Sequence, residues 1–185
     1  MAGKVETITA NFIGDFKVGD NLLRNAAALC HLRDTNENGI FNKLIVVQAG
    51  SIVEAALDQI IFCAQNYTRE GVPNISDADL KKIRDTKLER FNNIIQAMKS
   101  YKLLDGLGGG VCDELDKLRQ YRNRVHIQFD DEPQGAGRDD DTVFSDDVVK
   151  WSLALCVSVL KHLCDRFPRP KELGVYAHDL SIPTA

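Results

Sequence analysis

The stretch FNKLIVVQAGSIVEAALDQIIFCAQNY, residues 41–67, decides the fold of this chain. It is apolar almost all the way round a helix, which is typical of a helix at the centre of a helical domain. Its polar exceptions Gln48, Ser51, Glu54 and Asp58 recur every three or four residues and therefore form one stripe. We predict a central helix over 41–67 whose polar stripe faces either solvent or a polar cleft.

Helical periodicity continues on both sides of this central stretch. Apolar residues at helical spacing predict a first helix over 20–33, with Asp20 as its N-cap. Three more helices are predicted downstream, over about 76–102 with a break near 85–86, over 111–128, and over 146–167. No run alternates cleanly with period two, so the predicted class is all-α, an antiparallel bundle of four main helices plus minor helical segments.

Length and composition fit one globular domain over residues 1–185. A chain of 185 residues with 44% hydrophobic residues can bury a sizeable core without metals or disulfides. We predict the core over about 20–167 and a mobile acidic loop over 130–141. Residues 171–185 are expected to form a tail, and the residues before the first helix give no clear secondary-structure signal.

Charge, cysteines and hydropathy exclude several classes of protein. The net charge of -4 argues against coating nucleic acid indiscriminately, but it leaves room for a small basic site. Five cysteines without a CxxC pair, and histidines without partners at ligand spacing, predict no metal site and no cofactor. The central apolar run carries carboxylates, and no secretory signal is evident, so we predict a cytoplasmic protein that does not enter a membrane.

The residues with the greatest chemical potential lie on the predicted helix 111–128. On a helical wheel, Arg119, Arg122 and His126 lie along one edge of its apolar stripe, and Asn123 borders that edge on its other side. Two guanidiniums and an imidazole are thereby aligned on a half-buried face, which is unfavourable unless anions are near.

Two sources of anions are open for this cationic edge. Glu54 and Asp58 of the central helix are one, and a bound phosphate is the other. By the same wheel, Arg124 and Lys117 are predicted to point away from this edge, toward water.

The string LRQYRNRVHI, residues 118–127, resembles the hallmark of the HEPN family, an arginine followed after four to six residues by a histidine on a late bundle helix. Family members often carry an asparagine directly after an arginine, as Arg122 and Asn123 do here. The acid-bearing central helix and the apolar closing helix are compatible, so the resemblance covers about 20–167. Arg119 fits this spacing, because six residues separate it from His126, whereas Arg122 with three intervening residues is one short. Either Arg119 is the motif arginine, or the pair Arg122 and Asn123 is and the register differs.

The resemblance implies a HEPN-like fold and metal-independent cleavage of RNA by a homodimer, whose motif helices meet at a two-fold axis. His126 would act as general acid and base, since an imidazole titrates near neutral pH. Arg119 and Arg122 would bind the scissile phosphate, and Asn123 would bind the phosphate or orient His126. A toxin or defence role, with a protein partner such as an antitoxin, is a further implication.

Two other interpretations remain open. Glu54 and Asp58, with Ser51 as a further supporting polar residue, can hold Arg119 and Arg122 in a structural ion network. The chain would then be a non-catalytic HEPN-like module for dimerisation or partner binding, or else an unrelated helical protein. The enzyme interpretation expects that no carboxylate neutralises both arginines, whereas the module interpretation expects both to be sequestered.

Overall fold

The computed structural model describes residues 4–66, 75–86, 88, 90–125, 139–170, 172 and 178–184. This part of the chain is mostly helical, with a small sheet of two strands. The elements in chain order are β1 Val5–Ala10, α1 Phe16–Asp34, α2 Asn42–Asn66, α3 Asp77–Arg84, α4 Phe91–Ser100, α5 Val111–Asn123, α6 Asp140–Val143, α7 Asp146–Arg166 and β2 His178–Pro183. A 3₁₀ turn at Asp105–Leu107 lies between α4 and α5.

The central helix α2 organises the fold as the sequence predicts. It packs against α1, α3, α4, α5 and α7, and its apolar residues are buried on nearly every side. Among the described helices it alone is long and apolar enough to cross a membrane. Its most apolar window is 61% buried inside the fold, so its hydrophobicity is accounted for by packing.

The first helix begins earlier than predicted. Asp15, and not Asp20, is the N-cap of α1, because the Asp15 Oδ1 accepts hydrogen bonds from the amides of Lys17 at 2.8 Å and Val18 at 3.1 Å. The Asp15 amide in turn donates to the side-chain oxygen of buried Gln59 at 3.3 Å. A contact with α2 therefore selects which of two aspartates caps the helix.

The break predicted near 85–86 is present, because α3 ends at Arg84 and α4 begins at Phe91. Ser76 caps α3 as expected, since its Oγ accepts from the amide of Asp79 at 3.2 Å. The closing helix α7 also begins directly after Ser145, as predicted, and runs to Arg166.

The all-α prediction needs a correction at both ends of the chain. β1 and β2 pair antiparallel, with Val5 opposite Pro183 and Ala10 opposite His178. The core therefore extends beyond 20–167, since Ile8 of β1 and its neighbours in the sheet are buried in the same cluster as the helices. The strands are six residues each, and in β1 exposed Thr7 and Thr9 alternate with buried Ile8 and Ala10, so a short period-two pattern was present and the expectation that no run alternates was wrong.

Two predicted segments lie partly outside the described residues. Most of the acidic loop 130–141 lies outside the described residues. Its last residues begin the short helix α6, where Asp140 forms an ion pair of 2.9 Å with Lys43. The helix predicted over 111–128 ends at Asn123 in the structure, and its last three predicted residues lie outside the described part.

Replacing the cap of α1 tests the corrected helix start. Asp15→Ala removes the acceptor of two amide hydrogen bonds, so we expect a loss of about 1 kcal/mol in the free energy of unfolding. Asp15→Asn is the matched control, because asparagine caps equally well and should stay within a few tenths of a kcal/mol. Urea unfolding followed by circular dichroism measures both, and equal stability of the two variants would contradict this cap.

Candidate functional site

The position of α5 depends on a glycine in α2. A Cβ added at Gly50 would lie 3.0 Å from the Cβ of Arg122, 3.3 Å from its Cγ and 3.6 Å from the Cγ of Leu118. Leu115 and Leu118 of α5 are fully buried beside it. The missing side chain at Gly50 therefore lets the two helices approach until the aliphatic stem of Arg122 rests on α2.

One turn further along α2, the guanidinium of Arg122 meets a carboxylate. Its Nη2 lies 2.6 Å from Oε2 of Glu54, and its Nη1 donates to Oδ1 of Asn123 at 3.4 Å. Burial raises the pKa of Glu54, the charge of Arg122 lowers it, and the nearby carboxylate of Asp58 raises it. Glu54 is thus a half-buried acid whose charged form depends on Arg122.

Arg119 takes a different partner, on its own helix. Its Nε donates to Oδ1 of Asp116 at 2.8 Å, one turn earlier. This hydrogen bond lowers the pKa of Asp116 and outweighs the opposing effect of burial, and a second hydrogen bond from Gln120 acts in the same direction. Asp116 is therefore held as an anion, and neither Glu54 nor Asp58 neutralises Arg119.

A cleft of about 680 Å³ opens between α4 and α5. We call it the arginine cleft; its polar lining includes Glu54, Arg90, Asn92, Arg119, Arg122 and Asn123. Three guanidiniums line the cleft with the carboxylate of Glu54, and they still outnumber the carboxylates when Asp116, the partner of Arg119, is counted, although the chain as a whole is acidic. Cationic forks and amide groups in a concave site suit a phosphate or a carboxylate ligand.

The structure brings together four of the seven predicted site residues, namely Glu54, Arg119, Arg122 and Asn123. Ser51 instead donates to the carbonyl oxygen of Val47 at 2.9 Å, within its own helix. Asp58 has a pKa raised by burial, and it forms no ion pair with any residue the structure describes. His126 lies outside the described residues.

Two expectations about neighbouring cations were wrong. Arg124 was expected to face water, yet only 3% of it is exposed, at the C-cap position of α5. Lys117 forms a cation–π contact instead of facing only water, because its Nζ lies 4.6 Å from the centre of the Trp151 ring.

The sequence analysis missed the contribution of α4. Arg90, Asn92 and Asn93 line the arginine cleft from the start of this helix, while Phe91 packs into the core. The signal was the string RFNN at 90–93, in which polar residues able to bind anions flank a single apolar anchor at a helix start. Within the described ranges, no three His, Cys, Asp or Glu side chains are grouped closely enough to hold a metal ion.

A substitution at Gly50 tests the close approach of α2 and α5. Gly50→Ala places a methyl group 3.0 Å from the Arg122 Cβ, so α5 must shift. We expect a net loss on the order of 1 kcal/mol in the free energy of unfolding, because overpacking outweighs the better helix propensity of alanine. Gly109→Ala is the control, since nothing lies within 4 Å of its added Cβ. Urea unfolding measures both, and a Gly50 variant as stable as the control would contradict tight packing here.

Known proteins supply no assignment for the arginine cleft. Comparison of the chain with protein-family models, with curated proteins and with solved structures finds no match.

Proposed function

We propose that the arginine cleft binds the phosphate of an RNA strand, and that the chain is a HEPN-type, metal-independent endoribonuclease acting as a homodimer in the cytoplasm. One observation carries the proposal. Arg90, Arg119 and Arg122 line one cleft together with Asn123, the last residue of α5, and His126 follows three positions later in the sequence. An otherwise acidic chain has little structural reason to gather three guanidiniums in this way.

Arg119 and Arg122 keep N–H donors available for a phosphate although each already forms an ion pair. Arg119 uses its Nε for Asp116, and its two terminal nitrogens have no hydrogen bond to any described residue. Arg122 uses Nη2 for Glu54 and Nη1 for a long contact with Asn123. Since a guanidinium has five N–H donors, a phosphate can bind between the two side chains without breaking either pair.

The residues supply a complete reaction in this proposal. His126 accepts the proton of a ribose 2'-hydroxyl, the O2' oxygen attacks the adjacent phosphorus, and the bond from phosphorus to O5' breaks. The arginines stabilise the charge that develops on the phosphate oxygens. O5' receives its proton from His126 of the partner subunit, which leaves a cyclic phosphate and a 5'-hydroxyl end.

The same proposal includes the fold, which we assign as a HEPN-like antiparallel bundle of four main helices. The packing of α2 against α1, α5 and α7 supports this assignment. A toxin or defence role, with a protein partner such as an antitoxin that covers the cleft, is consistent with an RNase that needs restraint.

A non-catalytic module for dimerisation or partner binding is the second candidate. The 2.6 Å ion pair between Arg122 and Glu54 favours it, because a half-buried carboxylate already occupies part of the cationic cleft. In that case the cleft would bind a protein partner through its remaining donors, and RNA would be left intact.

Cleavage of RNA without metal separates the two candidates. In EDTA we expect the wild-type chain to cleave single-stranded RNA and to leave cyclic phosphate ends. His126→Ala should lower the rate about 100- to 10,000-fold, the usual contribution of a general acid or base. Arg24→Ala, an exposed arginine of α1 outside the cleft, should cleave like the wild type.

The same assay identifies the motif arginine. The larger loss of rate between Arg119→Ala and Arg122→Ala indicates which guanidinium binds the scissile phosphate. Intact RNA with every substrate tested, from a chain that folds normally by circular dichroism, would reject the nuclease and favour the partner-binding module.

Releasing Arg122 from its carboxylate tests whether the cleft is built for anions. Glu54→Gln should bind a non-cleavable 2'-O-methyl RNA about fivefold more tightly at neutral pH, because Arg122 no longer shares its charge. Glu37→Gln, an exposed acid outside the cleft, is the control. Fluorescence anisotropy measures the affinities, and unchanged binding by Glu54→Gln would contradict a competing role for this carboxylate.

The pH dependence has a defined sign. Burial raises the pKa of Glu54, so acidification protonates this carboxyl at a higher pH than an exposed glutamate and releases Arg122 in the wild type as well. The ratio of affinities between Glu54→Gln and the wild type should therefore shrink as the pH falls from about 7 to about 5. Titration of His126 affects both proteins and largely cancels in this ratio.

A further inference from the structure

A second cleft of about 500 Å³ continues the arginine cleft along α4 and α5. Both clefts are lined by Asn92 and Arg119, so they form one groove. The groove runs beside α4 from Arg90 to Lys99, nine residues apart, which is about 14 Å along a helix axis. A ligand bound at the arginines can therefore extend directly into the second cleft.

The two ends of the groove differ in chemistry. Lys99 and Arg119 are balanced in the second cleft by Asp113 and Asp116, and amides such as Gln96 lie between them. A second phosphate gains little from a neutral site of this kind, because nonspecific phosphate binding depends on uncompensated cations. Mixed donors and acceptors in a concave site instead suit the polar edge of a nucleobase.

Not all of these polar groups are available to a ligand. The carboxylate of Asp116 already accepts from Arg119 at 2.8 Å and from Gln120 at 2.8 Å. The side chains of Asp113 and Lys99 have no hydrogen bond to any residue in the described ranges, and both are exposed. One acceptor pair and one ammonium donor are therefore open.

Cys112 lines the second cleft together with these two open groups. Burial is the largest cause of the raised pKa of its thiol, the charge of Lys99 lowers that pKa, and the charges of Asp113 and Asp105 raise it further. A carboxylate and an ammonium group thus flank one end of the groove, in front of a half-buried thiol.

We propose that the second cleft binds a guanine base adjacent to the phosphate held in the arginine cleft, with Asp113 and Lys99 as its specificity-determining residues. This proposal rests on the proposed function, because it takes the ligand of the groove to be single-stranded RNA. The guanine N1–H and N2–H donate to the two oxygens of Asp113, and guanine O6 accepts from Nζ of Lys99.

The other bases fit this pair of groups less well. Adenine and uracil each present an acceptor beside their donor, and that acceptor would face the Asp113 carboxylate. Cytosine offers its N4 amino group to a carboxylate but places N3, an acceptor, next to it. Guanine alone has two adjacent donors followed by an acceptor along one edge, which matches a site that offers one carboxylate and one ammonium group.

Glu114 provides the control that tests whether Asp113 has a purely structural role. Asp113 and Glu114 both lie in the first turn of α5, where negative charge is favourable for the helix dipole. Only Asp113 lines the groove. Glu114→Gln therefore removes the same charge from the helix start without changing the groove.

Binding of short RNAs tests the proposal without requiring cleavage. The probes are fluorescein-labelled 2'-O-methyl oligouridylates with a single internal guanine, adenine or cytosine, and the all-uridine parent. We expect the wild type to bind the guanine probe about tenfold more tightly than the others. Asp113→Asn and Lys99→Gln should each reduce this preference to less than about threefold, and Glu114→Gln should keep it.

Each outcome of this experiment has a distinct meaning. Loss of the preference in the two groove variants, with Glu114→Gln unchanged, supports the guanine site. Equal binding of all four probes by the wild type, or preference for another base, overturns the guanine site and leaves the proposed function standing. Failure of the wild type to bind any probe overturns the proposed function together with the guanine site.

Discussion

The close approach of α5 to α2 at Gly50 is the constraint on which the candidate site depends. The aliphatic stem of Arg122 rests where any larger residue would have a side chain, and this contact brings its guanidinium to Glu54 one turn further on. With α5 held there by Leu118, its polar edge faces α4 across the arginine cleft. Tight packing of small and apolar groups therefore determines where the charges of the cleft lie.

Charge in this region is arranged in two ways, with different consequences. Arg119 pairs with Asp116 inside one helix, so that pair moves with α5 and uses only one of the three guanidinium nitrogens among the described residues. Arg122 pairs across helices with a carboxylate whose charged form is disfavoured by burial. The pair of Arg119 and Asp116 therefore keeps a guanidinium in the cleft. The availability of Arg122 to a ligand depends instead on whether Glu54 is protonated.

The sequence predicts the parts of the fold that depend on local pattern. The central helix 41–67, the break before Phe91 and the start of α7 after Ser145 follow from periodicity and residue preferences at helix ends, which act within a few positions. It also identified Arg119, Arg122 and Asn123, because they lie on one face of one helix. The role of His126 stays a prediction, since this residue lies outside the described part of the chain.

Features that depend on distant contacts were beyond local pattern. The amide of Asp15, the residue that caps α1, contacts Gln59 of α2, Arg124 is buried at the C-cap of α5, and Arg90 lines the cleft from the start of α4. The sheet differs, because residues 7–10 and 179–182 each alternate polar with buried apolar side chains, but runs this short form strands only when they pair across the chain.

The pairing of the two strands has a consequence for how the chain reaches its native state. Thr9 and Asp179 meet in a 2.6 Å hydrogen bond although 170 positions separate them. Closing so long a loop has a large entropic cost until the helices between have packed, so the sheet forms late in folding. During synthesis on a ribosome, β1 emerges before β2 and stays unpaired until the 170 positions that separate Thr9 from Asp179 have been translated.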